Sequence, residues 1–199
     1  KPLNIEDLDT NPLEQFNVWF QIAIDAEVNE ANAMAISTIS EEGTPRSRYV
    51  LFKDIVDNKL VFYSDYGSSK GREMENNPNI SGLFFWPELH RQIRLEGVVS
   101  KTSDEVSDNY FASRPRGAQL SAIASSQSTE IEGRETVEDR IKELEIEFEG
   151  KDIPRPDNWG GYAIDISFWE FWQGRRSRTH DRFIYVKNDN SWEITRLSP

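Results

Sequence analysis

The feature that most restricts the fold is a succession of short runs rich in branched and aromatic residues, at 33–39, 47–53, 60–64, 80–86 and 92–99. Runs of this length suit strands, whereas helices need longer periodic stretches. Glu42-Gly43 and Asp57-Asn58 interrupt them like hairpin turns, which predicts an antiparallel meander. Strands this short and this closely spaced curl into a barrel, because closure removes unpaired edges. The expected fold is therefore mainly β with flanking helices, its sheet closing on itself.

Helical signals flank the meander. Leu13, Phe16, Trp19, Phe20, Ala23 and Ile24 recur at spacings of three and four, predicting an amphipathic helix over 11–28. Further helices are predicted over 70–77, 104–112 and 137–148, ahead of Pro78, Pro115 and Gly150. Strand patterns return at 161–166, 170–173, 182–187 and 192–196. The chain of 199 residues can bury one core and shows no break in composition, so 1–199 is read as a single domain with a poorly ordered extension over 1–10. The Glu-rich stretch at 130–149 reads as the solvated face of its helix.

Composition removes whole classes of function. Without cysteine there is no disulfide framework, thiolate metal site or cysteine nucleophile, and two histidines far apart do not make a zinc site, so no metal is expected. Redox chemistry would need a borrowed cofactor. A formal net charge of −12 opposes a nucleic-acid surface. No run approaches the roughly 18 apolar residues of a membrane span, and no signal-peptide pattern is present, so a cytoplasmic protein is expected. There is no Gly-x-Ser-x-Gly elbow for a hydrolase.

Against this acidic background several short segments are basic: Arg46 and Arg48 with Lys53, Lys70 with Arg72, Arg91 with Arg94, Arg114 with Arg116, and Arg175, Arg176 and Arg178 with Arg182. Together they suggest small anionic ligands; singly, each is also explained as a solvated surface charge. Gly67-Ser68-Ser69-Lys70-Gly71 follows a strand and opens a helix, where free N–H groups, hydroxyls and a lysine form either a phosphate cradle or a plain helix cap. Its spacing is not that of a P-loop. On a strand of period two, Arg178, His180 and Arg182 share one face, which an anionic or electron-rich ligand would stabilise. Trp172 can pack beside a planar ligand, with Gln173 offering an amide, whereas Trp159-Gly160-Gly161 reads as a core aromatic beside turn glycines. Tyr110, Arg114 and Arg116 lie on or just after a predicted helix, within reach of a common phosphate.

In order and spacing, these segments resemble the pyridoxamine 5′-phosphate oxidase family from about Asn11 to the end of the chain. The matching stretches are Arg48-Tyr49-Val50-Leu51-Phe52-Lys53, Phe62-Tyr63-Ser64, Ser68-Ser69-Lys70, Asn77-Pro78, Arg91-Gln92, Tyr110 to Pro115, Gln127-Ser128, Trp159 to Gly161, Glu170 to Gly174, Arg178 to Arg182 and Arg196 to Pro199. The resemblance implies an antiparallel, Greek-key-like split β-barrel that binds flavin mononucleotide (FMN) and works as a homodimer with two sites at the subunit interface. It implies oxidation of pyridoxamine 5′-phosphate and pyridoxine 5′-phosphate to pyridoxal 5′-phosphate, with dioxygen as acceptor and hydrogen peroxide released.

The same resemblance assigns FMN binding to Arg48, Tyr49, Val50, Leu51, Phe52, Lys53, Tyr63, Ser64, Ser69, Lys70, Gln92, Gln127, Ser128, Trp172 and Arg182. Lys53, Tyr110 and Arg114 would hold the substrate phosphate, while Arg178 and His180 would lie over the pyridine ring. Arg48 and Lys53 are five apart, so a regular strand would send them to opposite faces; either the strand bends or they serve different parts of the ligand set. The chain departs from the family pattern at Ser69, where arginine is usual, and at Ala118, where a serine meets the substrate phosphate. Arg72, one turn on, is placed to compensate for Ser69. The N-terminal segment that covers the substrate in relatives would lie before Lys1. Rival readings are a same-fold flavin oxidase of phenazine biosynthesis and a non-catalytic split-barrel protein holding flavin or haem.

Overall fold

The structure, a computed structural model, describes residues 2–189 and 191–199. Asn11 starts the first helix, α1 (Pro12–Asp25), by accepting the Leu13 N–H, and Pro12 supplies the fixed φ of the first turn. The chain continues through β1 (Ala33–Ile39), β2 (Pro45–Leu51), β3 (Asp54–Val56), β4 (Lys59–Asp65), α2 (Ser69–Asn76), β5 (Asn79–Trp86) and β6 (Arg91–Lys101). Helices α3 (Asp104–Ser113), α4 (Arg116–Ala124) and α5 (Arg134–Glu147) follow, then β7 (Trp159–Gln173), β8 (Asp181–Asn188) and β9 (Ser191–Leu197).

The strands form one antiparallel sheet in the order β2-β1-β5-β6-β7-β4-β3, with β8 and β9 branching from β7. β7 is the axis of the split. One edge pairs with β6 along most of its length, while the other pairs with β4 over Trp159–Ile164 and with β8 over Phe168–Gln173. The two strands expected at 161–166 and 170–173 are thus one strand. A register shift at Glu96/Gly97 bends the pairing; a Cβ on Gly97 would sit 2.3 Å from the Asp165 carbonyl oxygen, so the close approach requires glycine.

The outer strands β2 and β3 are joined by only Phe52 and Lys53. The Phe52 N–H bonds to Asn32 O beside β1, and the Lys53 N–H to Val61 O on β4. The sheet therefore curls until its two ends adjoin, a half-barrel whose seam is bridged by the chain rather than by a ladder. Phe16 of α1, fully buried, plugs the curl with its ring 5.2–5.6 Å from those of Phe20, Phe52, Phe84 and Trp169. A smaller core of Phe111, Leu120, Leu144, Ile153 and Trp159 lies under α3, α4 and α5.

Two local expectations need correction. No helix is expected after Pro115, yet α4 begins there: Gly117, Ser121 and Ser125 weaken its pattern, and packing of Leu120 and Gln119 supplies what propensity does not. The strand expected to carry Arg178, His180 and Arg182 begins only at Asp181. Before it, Arg176–Arg178 forms a 3-10 turn in which Ser177 and Arg178 have positive φ (57° and 59°), so the three side chains do not share a strand face. Within residues 2–10, Leu3 is buried; its N–H donates to Asp181 Oδ2 and its carbonyl accepts from Arg196.

Candidate functional site

A cleft of about 620 Å³ opens where β4 and the start of β7 meet α3 and α4. Its walls include Leu51, Lys53, Tyr63, Ser64, Tyr110, Arg114 and Gln127 from the sequence-based set, together with Asp65, Ser113, Ala118, Ser121, Ser125 and Trp159. β2 ends at Leu51, so Arg48 lies on the strand and Lys53 beyond it, and the bend separates the two.

Beneath the cleft, Lys70 is buried. The N-cap of α2 is Ser68, whose hydroxyl accepts the Gly71 N–H, and this turn directs Lys70 inward. A Cβ on Gly71 would meet the Tyr66 carbonyl oxygen at 2.1 Å, which explains the glycine beside the lysine. The Lys70 ammonium donates to Ser64 Oγ at 3.0 Å, Ser68 Oγ at 3.1 Å and Gln127 Oε1 at 2.5 Å, all neutral acceptors. Burial, followed by the nearby Arg48 charge, lowers its pKa to about 8. Asp65 secures the surrounding loops through the Gly67 and Gln127 N–H groups. A buried ammonium held by neutral dipoles has charge to offer an anion.

Arg114 is the second such group. Its NH1 is buried without a hydrogen-bond partner, and burial lowers its pKa. The guanidinium lies 4.6 Å from the Trp159 ring centroid. Tyr63 and Tyr110 stack at 3.7 Å, with Trp159 parallel at 5.6 Å from Tyr63, so three rings line one wall. Burial pushes the Tyr63 hydroxyl up to about 12, keeping it a donor at neutral pH.

Other expected residues lie elsewhere. Arg48 is bound to Glu73 at 2.9 Å and to Thr38, and Arg46 shares the same carboxylate at 3.0 Å. Tyr49 and Val50 line, with Leu51, an apolar groove on the face of β1, β2 and β5. Phe52 is a core residue and Ser128 is an exposed residue with φ of 69°. Ser69 and Arg72 border a small depression with Arg46, and Arg72 donates to the Gly67 carbonyl, outside the cleft wall. Arg116 is committed to the Phe148 and Lys151 carbonyls at the end of α5.

A second cluster forms at the far end of β7. Register places Gln92 opposite Trp172, and Trp172 opposite Arg182. His180 packs on Trp172 with ring centroids 4.6 Å apart, and its Nδ1 accepts the Arg175 N–H. Buried Glu170 binds both Arg182 at 2.7 Å and Arg94 at 3.1 Å. Gln173 is spent on the Leu89 and His90 carbonyls. Arg178 is exposed. From Gly161, opposite Tyr63, to Trp172 is eleven residues of strand, about 36 Å along β7. One chain therefore carries two separated clusters.

Ser121 and Ser125 carry no signal in the sequence, and Trp159 reads there as a core aromatic rather than part of a cleft wall. For Trp159 the available signal was its place in a motif of paired glycines, but a core role explained it equally well. Among the described residues, no group of acidic residues and histidines is arranged to hold a metal, and no helix is long and apolar enough to cross a membrane.

Comparison with known proteins agrees across the chain. The profile described as "Pyridoxamine 5'-phosphate oxidase" matches residues 20–147, and that of the "Pyridoxine 5'-phosphate oxidase C-terminal dimerisation region" matches 159–199. A pyridoxine/pyridoxamine 5′-phosphate oxidase of Burkholderia mallei (strain SAVP1) is 49% identical, over 99% of this chain and 93% of its own. The crystal structure of PhzG from Burkholderia lata 383 in complex with tetrahydrophenazine-1-carboxylic acid superposes with a TM-score of 0.93 at 30% identity, covering 100% and 98% of the two chains. A pyridoxamine 5′-phosphate oxidase-related, FMN-binding protein from Nostoc punctiforme PCC 73102 shares the fold, with a TM-score of 0.76 at 16% identity over 96% and 100%. With both profiles and a full-length relative in agreement, the chain belongs to the pyridoxamine 5′-phosphate oxidase family of oxidoreductases.

Proposed function

We propose that this chain, as a homodimer, uses FMN to oxidise pyridoxamine 5′-phosphate and pyridoxine 5′-phosphate to pyridoxal 5′-phosphate. The observation that carries the reading is the pair of anion receptors at one cleft, Lys70 below Ser64 and Gln127, and Arg114 beside Tyr110. A cofactor carrier needs one phosphate site; an oxidase of a phosphorylated substrate needs two. Lys70, Ser64 and Gln127 fit the cofactor phosphate, whereas Arg48 is paired with Glu73 and Ser69 and Ser128 are not on the cleft wall. Lys53, Tyr110 and Arg114 fit the substrate phosphate.

Held there, a flavin would supply the two-electron chemistry between the substrate carbon and dioxygen. The amine substrate, dioxygen and water thus yield the aldehyde, ammonia and hydrogen peroxide; the alcohol and dioxygen yield the aldehyde and peroxide. The protein contributes orientation and charge. Because His180 Nδ1 accepts a backbone N–H, the neutral imidazole carries its proton on Nε2 and offers a donor. His180 and Arg178 align the substrate ring, while Gln92, Trp172 and Arg182 meet the flavin. His180→Ala and Arg178→Ala are each expected to lower kcat/KM with FMN affinity retained, as measured by steady-state turnover and flavin titration.

Separation of the clusters along β7 supports a site completed by a second copy. Tyr49, Leu51 and Phe85 are 74%, 42% and 56% exposed on one sheet face, an apolar patch of the kind that pairs subunits. Leu51 lines both this groove and the anion cleft, so a partner docked on the patch lies beside the cleft.

The test is to purify the protein, record its visible spectrum and follow peroxide and pyridoxal 5′-phosphate after adding pyridoxamine 5′-phosphate. A yellow protein forming both supports the proposal. A yellow protein forming neither favours the second reading, a same-fold oxidase of another ring system. That reading draws on Ala118, which brings a methyl to the cleft wall where the family pattern has a hydroxyl, and on the likeness to PhzG.

A further inference from the structure

Arg114 poses a physical question that its proposed role does not answer. An arginine presented to an anion must be held in place, and proteins usually do this with a carboxylate. Neutralisation then weakens the arginine as an anion receptor. Among the described residues Arg114 makes no ion pair, and its side chain makes no hydrogen bond. Two other features fix it. Pro115 restricts the preceding residue to extended backbone, and Arg114 has φ −71° and ψ 147° at the end of α3. Its guanidinium then rests 4.6 Å from the Trp159 ring centroid, with Phe111 at 5.9 Å.

Trp159 is itself immobilised. Arg155 donates to its carbonyl at 2.7 Å and reaches Asp104 and Asp108 on α3, so one guanidinium ties the start of β7 to the helix ending at Arg114. The indole is 7% exposed and stacks parallel to Tyr63 and Tyr110. A ring face attracts a cation without cancelling its charge.

We infer that Trp159 is the positioning residue for substrate-phosphate recognition: its indole face orients the Arg114 guanidinium and leaves that charge wholly available to the anion. The inference rests on reading the cleft as a phosphate site and deepens it. Arg91 marks the contrast. Its guanidinium also lies on an indole, that of Trp19 at 4.3 Å, and its NH1 is also without a partner, but its Nε is tied to Gln173 and it lines none of the anion cleft.

The experiment compares wild type, Trp159→Phe, Trp159→Leu, Arg114→Ala and the Trp159→Leu/Arg114→Ala double variant as FMN-loaded protein. Inorganic phosphate binding is measured by calorimetry, and oxidation is followed with pyridoxamine 5′-phosphate and with unphosphorylated pyridoxamine. Trp159→Leu is expected to weaken phosphate binding and raise KM for the phosphorylated substrate about tenfold, between the scales of an exposed and a desolvated cation–π contact. Trp159→Phe should recover most of the loss. The loss should be larger for pyridoxamine 5′-phosphate than for pyridoxamine, and Trp159→Leu should add nothing once Arg114 is alanine. The inference is overturned if Trp159→Leu leaves phosphate binding intact, lowers kcat for both substrates alike, or adds fully to Arg114→Ala. Because phosphate binding is read without turnover, a wild-type protein that oxidises neither substrate removes the proposed activity but leaves this test standing.

Discussion

The two clusters along β7 manage charge in opposite ways. At the far end, Glu170 and Asp181 between them hold Arg94, Arg182, Arg175 and Arg196 in ion pairs of 2.7–3.2 Å. At the near end Lys70 is buried and half-buried Arg114 has its NH1 shut off from water, and among the described residues neither makes an ion pair, although Arg48 nearby is anchored to Glu73. Buried ions without compensation destabilise a fold, which is why the proposed function gives these two cations to ligand phosphates. The cations of the far cluster are compensated within the protein; under the proposed function those of the near one are compensated by ligand.

The sharpest test of this contrast is Glu170→Ala, which takes from Arg182 its carboxylate and leaves Arg94 with Glu96 alone, and is expected to lower stability by about 3 kcal/mol in chemical denaturation, the loss of two charge-assisted hydrogen bonds. If stability is unchanged, the far cluster is not held by charge pairing. Next, Lys70→Met should do the reverse: the FMN-free protein should melt at a higher temperature, since an uncompensated buried cation is gone. FMN affinity in a fluorescence titration should nevertheless fall by about 10- to 100-fold, the loss of a charge-assisted contact. Loss of stability on that substitution would mean that the neutral acceptors satisfy Lys70 by themselves.

The same lysine sets a pH dependence. Its folded pKa, about 8, lies below the ordinary value of 10.5, so between those values the unfolded chain binds more protons. Stability of the FMN-free protein should therefore rise as pH climbs from about 8 to about 10.5, whereas FMN affinity should begin to fall above about 8 as the ammonium is lost. Thermal melts and flavin titrations across this range check both signs. The smallest effect belongs to Arg72→Ala, which removes a guanidinium bound to the Gly67 carbonyl and outside the cleft; FMN affinity should stay within about twofold, less than 1 kcal/mol.

Much of the architecture was legible because its signals are local. Asn11 and Ser68 cap the helices they precede, Asp57-Asn58 turns β3 into β4, and the apolar spacing in α1 places Phe16 and Trp19 in the core. Of the residues that the family resemblance implies for flavin and substrate, Leu51, Lys53, Tyr63, Ser64, Tyr110, Arg114 and Gln127 line one cleft with Lys70 bound to Ser64 and Gln127 from below, whereas Gln92, Trp172, His180 and Arg182 gather at the far end of β7.

What the sequence by itself determined is the mainly β class with its helices and the chemical types gathered for anions. Tertiary structure alone decided which cations are neutralised and which stay unpaired. Arg48 is claimed by Glu73 25 residues away, Lys70 is buried under a glutamine 57 residues on, and Arg114 rests on an indole from another element. It also decided that Arg178 and His180 sit in a turned loop rather than along a strand. The physical reason is range: caps and periodicity act over a few neighbouring residues, whereas burial and charge compensation depend on groups that only folding brings together.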